Sequence, residues 1–191
     1  MTTLFIDACP REKSRTRALA QKVLEHVGGD IAELKLSAAE LPVIDEAAAD
    51  NRAADGKSKC FDRPIYDLAK QFAAADCIVI AAPYWDMSFP ALLKRYIEAV
   101  TVSGITFRYT PEGIPEGLCR AGKLYYVMTA GGPVFNEEFG YGYVRTMAQV
   151  MYGIRNCHLF KAENLDVIGN DVEAILGKAA GEIDSFFMSD K

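Results

Sequence analysis

The order of strand-length apolar runs and amphipathic stretches predicts an α/β fold: a doubly wound, five-stranded parallel sheet of order 2-1-3-4-5, in three α/β/α layers. Three observations carry this. Strand-like and helix-like segments alternate along the whole chain. The run Asp76-Cys77-Ile78-Val79-Ile80-Ala81-Ala82 is apolar without alternation, as a central strand buried on both faces should be. Three irregular loops follow strands one, three and four, whose carboxyl ends are where such a sheet takes its ligand.

Strand one covers Thr3 to Ala8. Helix one runs from about Ser14 to Val27, with Leu19, Val23 and Val27 on one face, and Gly28-Gly29 ends it. His26 in its last turn suits the helix dipole as a surface residue. Strand two is Ile31 to Leu36. Residues 37 to 60 lose periodicity and predict a loop with room for one short helix; a loop of that length often serves as a lid or partner arm. Helix two spans about Phe61 to Ala74, with Pro64 in its first turn. After strand three, helix three carries Leu92, Leu93, Tyr96, Ile97 and Val100 on one face. Gly104 to Gly113 is an excursion rich in β-formers and turn residues. Strand four is Lys123 to Thr129, followed by a Gly- and aromatic-rich loop from Phe135 to Tyr143 and a helix from Tyr143 to Tyr152. Strand five is Cys157 to Lys161, where His158 is expected to be structural. The last helix spans about Asp171 to Phe187.

The 191 residues suffice for a single α/β domain, 1–191, with a sizeable core. A net charge of −5 argues against long nucleic acid as a partner. The apolar runs are far shorter than a membrane span. Leu4-Phe5-Ile6 is followed at once by Asp7, so no signal peptide is expected. Five cysteines without a Cys-x-x-Cys pair point to reduced thiols in a cytoplasm, with no disulfide framework and no metal site.

The first loop, Asp7 to Arg17, reads as a seat for one phosphate group. Ser14 and Thr16 bring hydroxyls to a helix start whose free N–H groups and dipole favour an anion. Arg11, Lys13, Arg15 and Arg17 add positive charge. In the second loop, Tyr84, Trp85 and Met87 offer flat apolar area, and Pro83 and Pro90 restrict the backbone. In the third, Gly131 and Gly132 let the main chain approach a ring closely, and Thr129 adds a hydroxyl. A phosphate at one end and a planar heterocycle at the other describe FMN better than a dinucleotide, whose Gly-x-Gly-x-x-Gly signature is missing after strand one. The same first loop also fits Cys-x5-Arg-[Ser/Thr], the pattern of low-molecular-weight tyrosine phosphatases, with Cys9 as nucleophile and Arg15 beside it.

Several stretches together carry a resemblance: Ala82-Pro83-Tyr84-Trp85-Asp86-Met87-Ser88-Phe89-Pro90 and on to Tyr96, then Gly104-Ile105-Thr106-Phe107-Arg108-Tyr109, Pro115-Glu116-Gly117-Leu118, and Thr129-Ala130-Gly131-Gly132. Over Thr3 to about Ala162 the chain resembles the FMN-dependent NADH azoreductase and quinone reductase family, of flavodoxin-like fold. The resemblance implies that Ser14, Arg15 and Thr16 hold the FMN phosphate. It implies that Pro83, Tyr84, Trp85, Asp86 and Met87 line the isoalloxazine, and that Thr129, Ala130, Gly131 and Gly132 close its other edge. It further implies ping-pong hydride transfer from NADH or NADPH through FMN to a quinone or azo compound, with no side chain acting as nucleophile and hence no catalytic residue. Tyr109 is then a candidate proton donor to the reduced acceptor. Members are homodimers with the flavin at the interface, so Phe107, Tyr109 and the arm around residues 50 to 60 are expected in a neighbouring subunit's pocket. The chain departs from the family in having Cys9 for a frequent serine, Asp86 for a frequent asparagine and Ala130 for an occasional arginine. If Asp86 points at the flavin, Asp86→Asn should raise the flavin potential. A one-electron carrier of the flavodoxin type is the other use of the same cofactor.

Overall fold

The structure, a computed structural model, describes residues 1–189; residues 190 and 191, the last two of the expected single domain, lie outside the described residues. In chain order the strands are β1 (Thr2–Asp7), β2 (Asp30–Lys35), β3 (Cys77–Ala81), β4 (Phe107–Tyr109), β5 (Pro115–Gly117), β6 (Lys123–Thr129) and β7 (Asn156–Ala162). The helices are α1 (Arg15–Val27), α2 (Glu46–Ser58), α3 (Asp67–Ala74), α4 (Ala91–Val100), α5 (Tyr143–Thr146) and α6 (Val172–Ser189). Five strands form one parallel sheet in the order β2-β1-β3-β6-β7, which is 2-1-3-4-5 when only those strands are counted. Short strands β4 and β5 pair antiparallel as a separate hairpin, accounting for the β-rich excursion after α4.

Alternation along each strand splits the core in two. Leu4, Ile6, Ile78, Ile80, Leu124 and Tyr126 face one side, against residues of α3 and α4. Phe5, Val79, Tyr125 and Val127 face the other, against α1 and α6. Both faces are covered, so the central strands have no solvent side, and each fully buried Leu, Ile, Val or Phe contributes roughly 1.5–3 kcal/mol. His158 is structural in the sense expected: its ring packs among Tyr125 and Phe186, with centroids 5.6 and 4.7 Å away. His26 stacks on Phe187 at 4.8 Å, and its Nε2 lies 2.6 Å from Asp184 Oδ1.

Three local expectations are refined or corrected. The short helix for which residues 37–60 left room is α2, 13 residues long. It has no buried residue, so it shows no apolar stripe, and its N-cap Asp45, which accepts from Ala48 N–H at 2.8 Å, is the main local signal. Helix two does not begin at Phe61. Pro64 holds Arg63 extended at φ −72°, ψ 143°, and a 3₁₀ turn, Pro64–Tyr66, leads into α3. The expected loop before α5 is helical from Glu138: wide π-type turns, Glu138–Gly142 and Met147–Tyr152, flank the four α-helical residues. Gly140 and Gly142 disguise that start as a loop.

Among the described residues no helix is long and apolar enough to cross a membrane. All five cysteines are free, and among the described residues no cluster of three or more His, Cys, Asp or Glu side chains could hold a metal ion.

Candidate functional site

Strand register brings the three loops together. Asp7 pairs with Ala81, and Ala81 with Val127, so β1, β3 and β6 end side by side. The ladder continues past them: Ala8 N–H donates to Ala81 O (2.9 Å), Ala82 N–H to Val127 O (3.0 Å) and Tyr84 N–H to Thr129 O (2.9 Å). A cleft of about 330 Å³ opens at this edge. From the first loop, Ser14, Arg15 and Thr16 line it, with Pro10, Arg11 and Lys13. From the second come Pro83, Tyr84 and Trp85, and from the third Thr129, Ala130 and Gly131.

At the first loop, Ser14 is the N-cap of α1, its Oγ accepting from Arg17 N–H at 3.2 Å. Among the described residues, the backbone N–H groups of Glu12, Lys13, Ser14, Arg15 and Thr16 donate to no protein acceptor. Unfilled donors beside Arg11, Lys13 and Arg15 favour an anion. Thr16 and Thr129 share a buried hydroxyl hydrogen bond of 2.6 Å that ties the first loop to the third. Arg15 reaches across the cleft to Leu165 O (3.0 Å) and Asp166 Oδ1 (2.6 Å). Those two residues, from the turn after β7, also line the cleft and were not anticipated. The signal was available: the turn follows another parallel strand at the same sheet edge.

The second loop makes a two-residue turn. Trp85 and Ser88 exchange backbone hydrogen bonds of 3.1 and 2.9 Å across Asp86 and Met87, both left-handed at φ 50° and 66°. Trp85 stands 38% exposed at the cleft. Asp86 and Met87 are not in the cleft lining, nor is Gly132 of the third loop. Tyr84 Oη donates to Asn136 O (3.1 Å) and Ser88 Oγ to Phe139 O (2.6 Å), stapling the second loop to the segment beyond the third. That segment is anchored in turn by Lys161 Nζ, which bridges Glu137 (2.5 Å) and Glu163 (2.6 Å), and by Val134 N–H donating to Glu163 Oε2 (2.7 Å).

Phe107 and Tyr109 lie outside this cleft. Phe107 is buried within its own chain, with Tyr109 packed edge-on at 5.2 Å. Tyr109 is exposed and lines a second cleft, of about 640 Å³, between the β4–β5 hairpin and α2. Cys9 is equally misplaced for a nucleophile. It is buried, its thiol donates to Ala81 O at 3.6 Å, and burial above all pushes its pKa up to about 12. A phosphatase needs an accessible thiolate of lowered pKa, so the Cys-x5-Arg match has the spacing without the chemistry.

The sequence profile of the flavodoxin-like fold matches residues 1–187. The chain is 35% identical to an FMN-dependent NADH:quinone oxidoreductase of Coprothermobacter proteolyticus and 34% identical to one of Caldicellulosiruptor saccharolyticus, each over 94% of both chains. Among solved structures it superposes on an azoreductase from Bacillus anthracis str. Sterne with a TM-score of 0.84, at 26% identity and over 98% of both chains. The protein is thus a flavodoxin-like α/β protein. Within that fold it belongs to the family of FMN-dependent NADH:quinone oxidoreductases and azoreductases.

Proposed function

We infer that this protein is an FMN-dependent oxidoreductase that carries hydride from NADH or NADPH to quinones or azo compounds. One observation carries the inference: a single cleft is lined both by unfilled N–H donors with three basic side chains, from the first loop, and by the Tyr84-Trp85 aromatic wall, from the second. That is the polarity of FMN, a phosphate joined by a short chain to a flat apolar ring. Ser14, Arg15 and Thr16 would hold the phosphate, with Arg11 and Lys13 supplying further charge. Pro83, Tyr84 and Trp85 would flank the ring, and Thr129, Ala130 and Gly131 its edge. When bound, FMN supplies the two-electron chemistry, accepting hydride from the nucleotide and giving it to the acceptor. Both substrates then use one face of the cleft in turn, which is ping-pong. The chain's own part is to seat, orient and shield; no side chain in the cleft is placed as a nucleophile.

A homodimer with the cleft near its interface is supported by the exposed Trp85, Phe135 and Tyr109, which a second copy would cover. A single domain in the reducing cytoplasm accords with five free cysteines. The test is direct: the protein with added FMN should turn yellow and oxidise NADH with a quinone or an azo dye, giving parallel double-reciprocal lines. A colourless protein that ignores FMN, or a flavoprotein that accumulates semiquinone in a dithionite titration and does not oxidise NADH, overturns the inference.

A further inference from the structure

Arg17 is the most elaborately bonded basic residue of the first loop, and the cleft does not include it. Its Nε donates to Asp7 Oδ2 at 2.5 Å, and the Asp7 side chain is fully buried. One terminal nitrogen, Nη1, donates to Arg11 O (3.1 Å) and Glu12 O (2.6 Å). The other, Nη2, donates to Cys9 O (3.2 Å). Asp7 Oδ1 in turn accepts from Cys9 N–H at 2.9 Å. One fork therefore gathers three loop carbonyls and one buried carboxylate.

In a trans peptide the C=O of one residue and the N–H of the next point in opposite directions. With the carbonyls of Arg11 and Glu12 drawn onto Arg17, the N–H groups of Glu12 and Lys13 are turned away from it. These two belong to the unfilled series that runs on through Thr16. Lys13 lines the cleft and Arg17 does not; Arg17 shares a neighbouring depression with Glu12, Lys13, Ser14 and Arg15.

We propose that Arg17, paired with Asp7, is a positioning residue for the cofactor phosphate: it fixes the carbonyls of the first loop so that the backbone N–H groups face the anion, and does not touch the anion itself. The role rests on the FMN reading above. It makes two demands that a charged ligand would not. Lysine cannot replace arginine, because a single ammonium cannot span Asp7 and three carbonyls in a planar fork. Removing the Asp7 charge must weaken phosphate binding even though it makes the loop more positive.

The experiment measures FMN and riboflavin affinity by flavin fluorescence for wild type, Arg17→Lys, Arg17→Met and Asp7→Asn. All three variants should bind FMN about tenfold or more weakly, the scale of a lost hydrogen bond to a charged group. Affinity for riboflavin, which lacks the phosphate, should hold. Wild-type FMN affinity in Arg17→Lys, or tighter FMN binding by Asp7→Asn, would show a simple field effect and overturn the proposal. Equal losses for FMN and riboflavin would reduce Arg17 to a structural role and overturn it too. Thermal unfolding controls for folding, and if Arg17→Met does not fold, the two milder variants decide. A wild type that binds no FMN sinks the cofactor reading and this role with it; unaltered variants of an FMN-binding wild type sink this role alone.

Discussion

The hydroxyls of Thr16 and Thr129, 113 residues apart in sequence, meet at 2.6 Å in a buried contact. It joins the start of α1 to the end of β6 and leaves neither oxygen to solvent. Thr16→Val should therefore cost more than a lost bond, since Thr129 keeps a buried, unpaired hydroxyl; about 1–3 kcal/mol is expected. Replacing both by valine removes both polar groups and should cost less than the sum of the two single changes. Urea unfolding of the four proteins checks this, and strict additivity would show the two hydroxyls to be independent.

Cysteine reactivity should follow burial. Cys60 is exposed, and Cys9 is buried with its pKa near 12, so at about pH 8 a haloacetamide should label Cys60 and spare Cys9 until the protein is unfolded. Peptide mass spectrometry reads this directly. Cys9→Ser should leave NADH oxidation largely intact, whereas loss of an aryl-phosphatase activity in that variant would restore the nucleophile role.

Two glycines make opposite predictions. A Cβ at Gly117 would run into the backbone of Tyr152 and Gly153, where the hairpin docks on the end of the helical run. Gly117→Ala should destabilise by roughly 1–3 kcal/mol. Gly132 has nothing within 4 Å of such a Cβ and no left-handed φ. Gly132→Ala should stay within about 0.5 kcal/mol of wild type. Thermal unfolding separates them, and equal shifts would remove the packing argument.

Asp86 acts through the backbone. Two consecutive left-handed residues between Trp85 and Ser88 form the kind of turn that favours Asn-Gly, and this chain has Asp-Met. Met87→Gly should raise stability by about 1 kcal/mol and Asp86→Asn by a few tenths. With the carboxylate outside the cleft lining, Asp86→Asn should not move the flavin potential. A raised potential in a redox titration would put Asp86 back against the ring.

What the sequence disclosed depended on whether apolar spacing or charge carried the signal. Sheet order and the three loops were legible because Cys77 to Ala81 has the length and unbroken apolarity of a strand buried on both faces, and the loops fall after neighbouring strands. The burial of Cys9 was also within reach. It continues the alternation of Thr3, Phe5 and Asp7, all buried on one face of β1. Arg17 was not legible, because four basic residues in seven read as a solvated charged face, and nothing local says which one pairs with the buried Asp7. Nor was α2, whose residues bury nothing and so leave no period to detect.

Helix α2 is fastened by polar ties: Arg52 donates to Glu98 O and Ala99 O at the end of α4, and Asp55 takes hydrogen bonds from Arg63 and Tyr66. No residue of α2 is itself buried, so letting go of those ties should uncover far less nonpolar surface than global unfolding, with a correspondingly weaker urea dependence and smaller heat-capacity change. The rest of the molecule can stay intact while this strap comes loose. Amide protons between residues 46 and 58 would then exchange by a local route long before those of the central sheet.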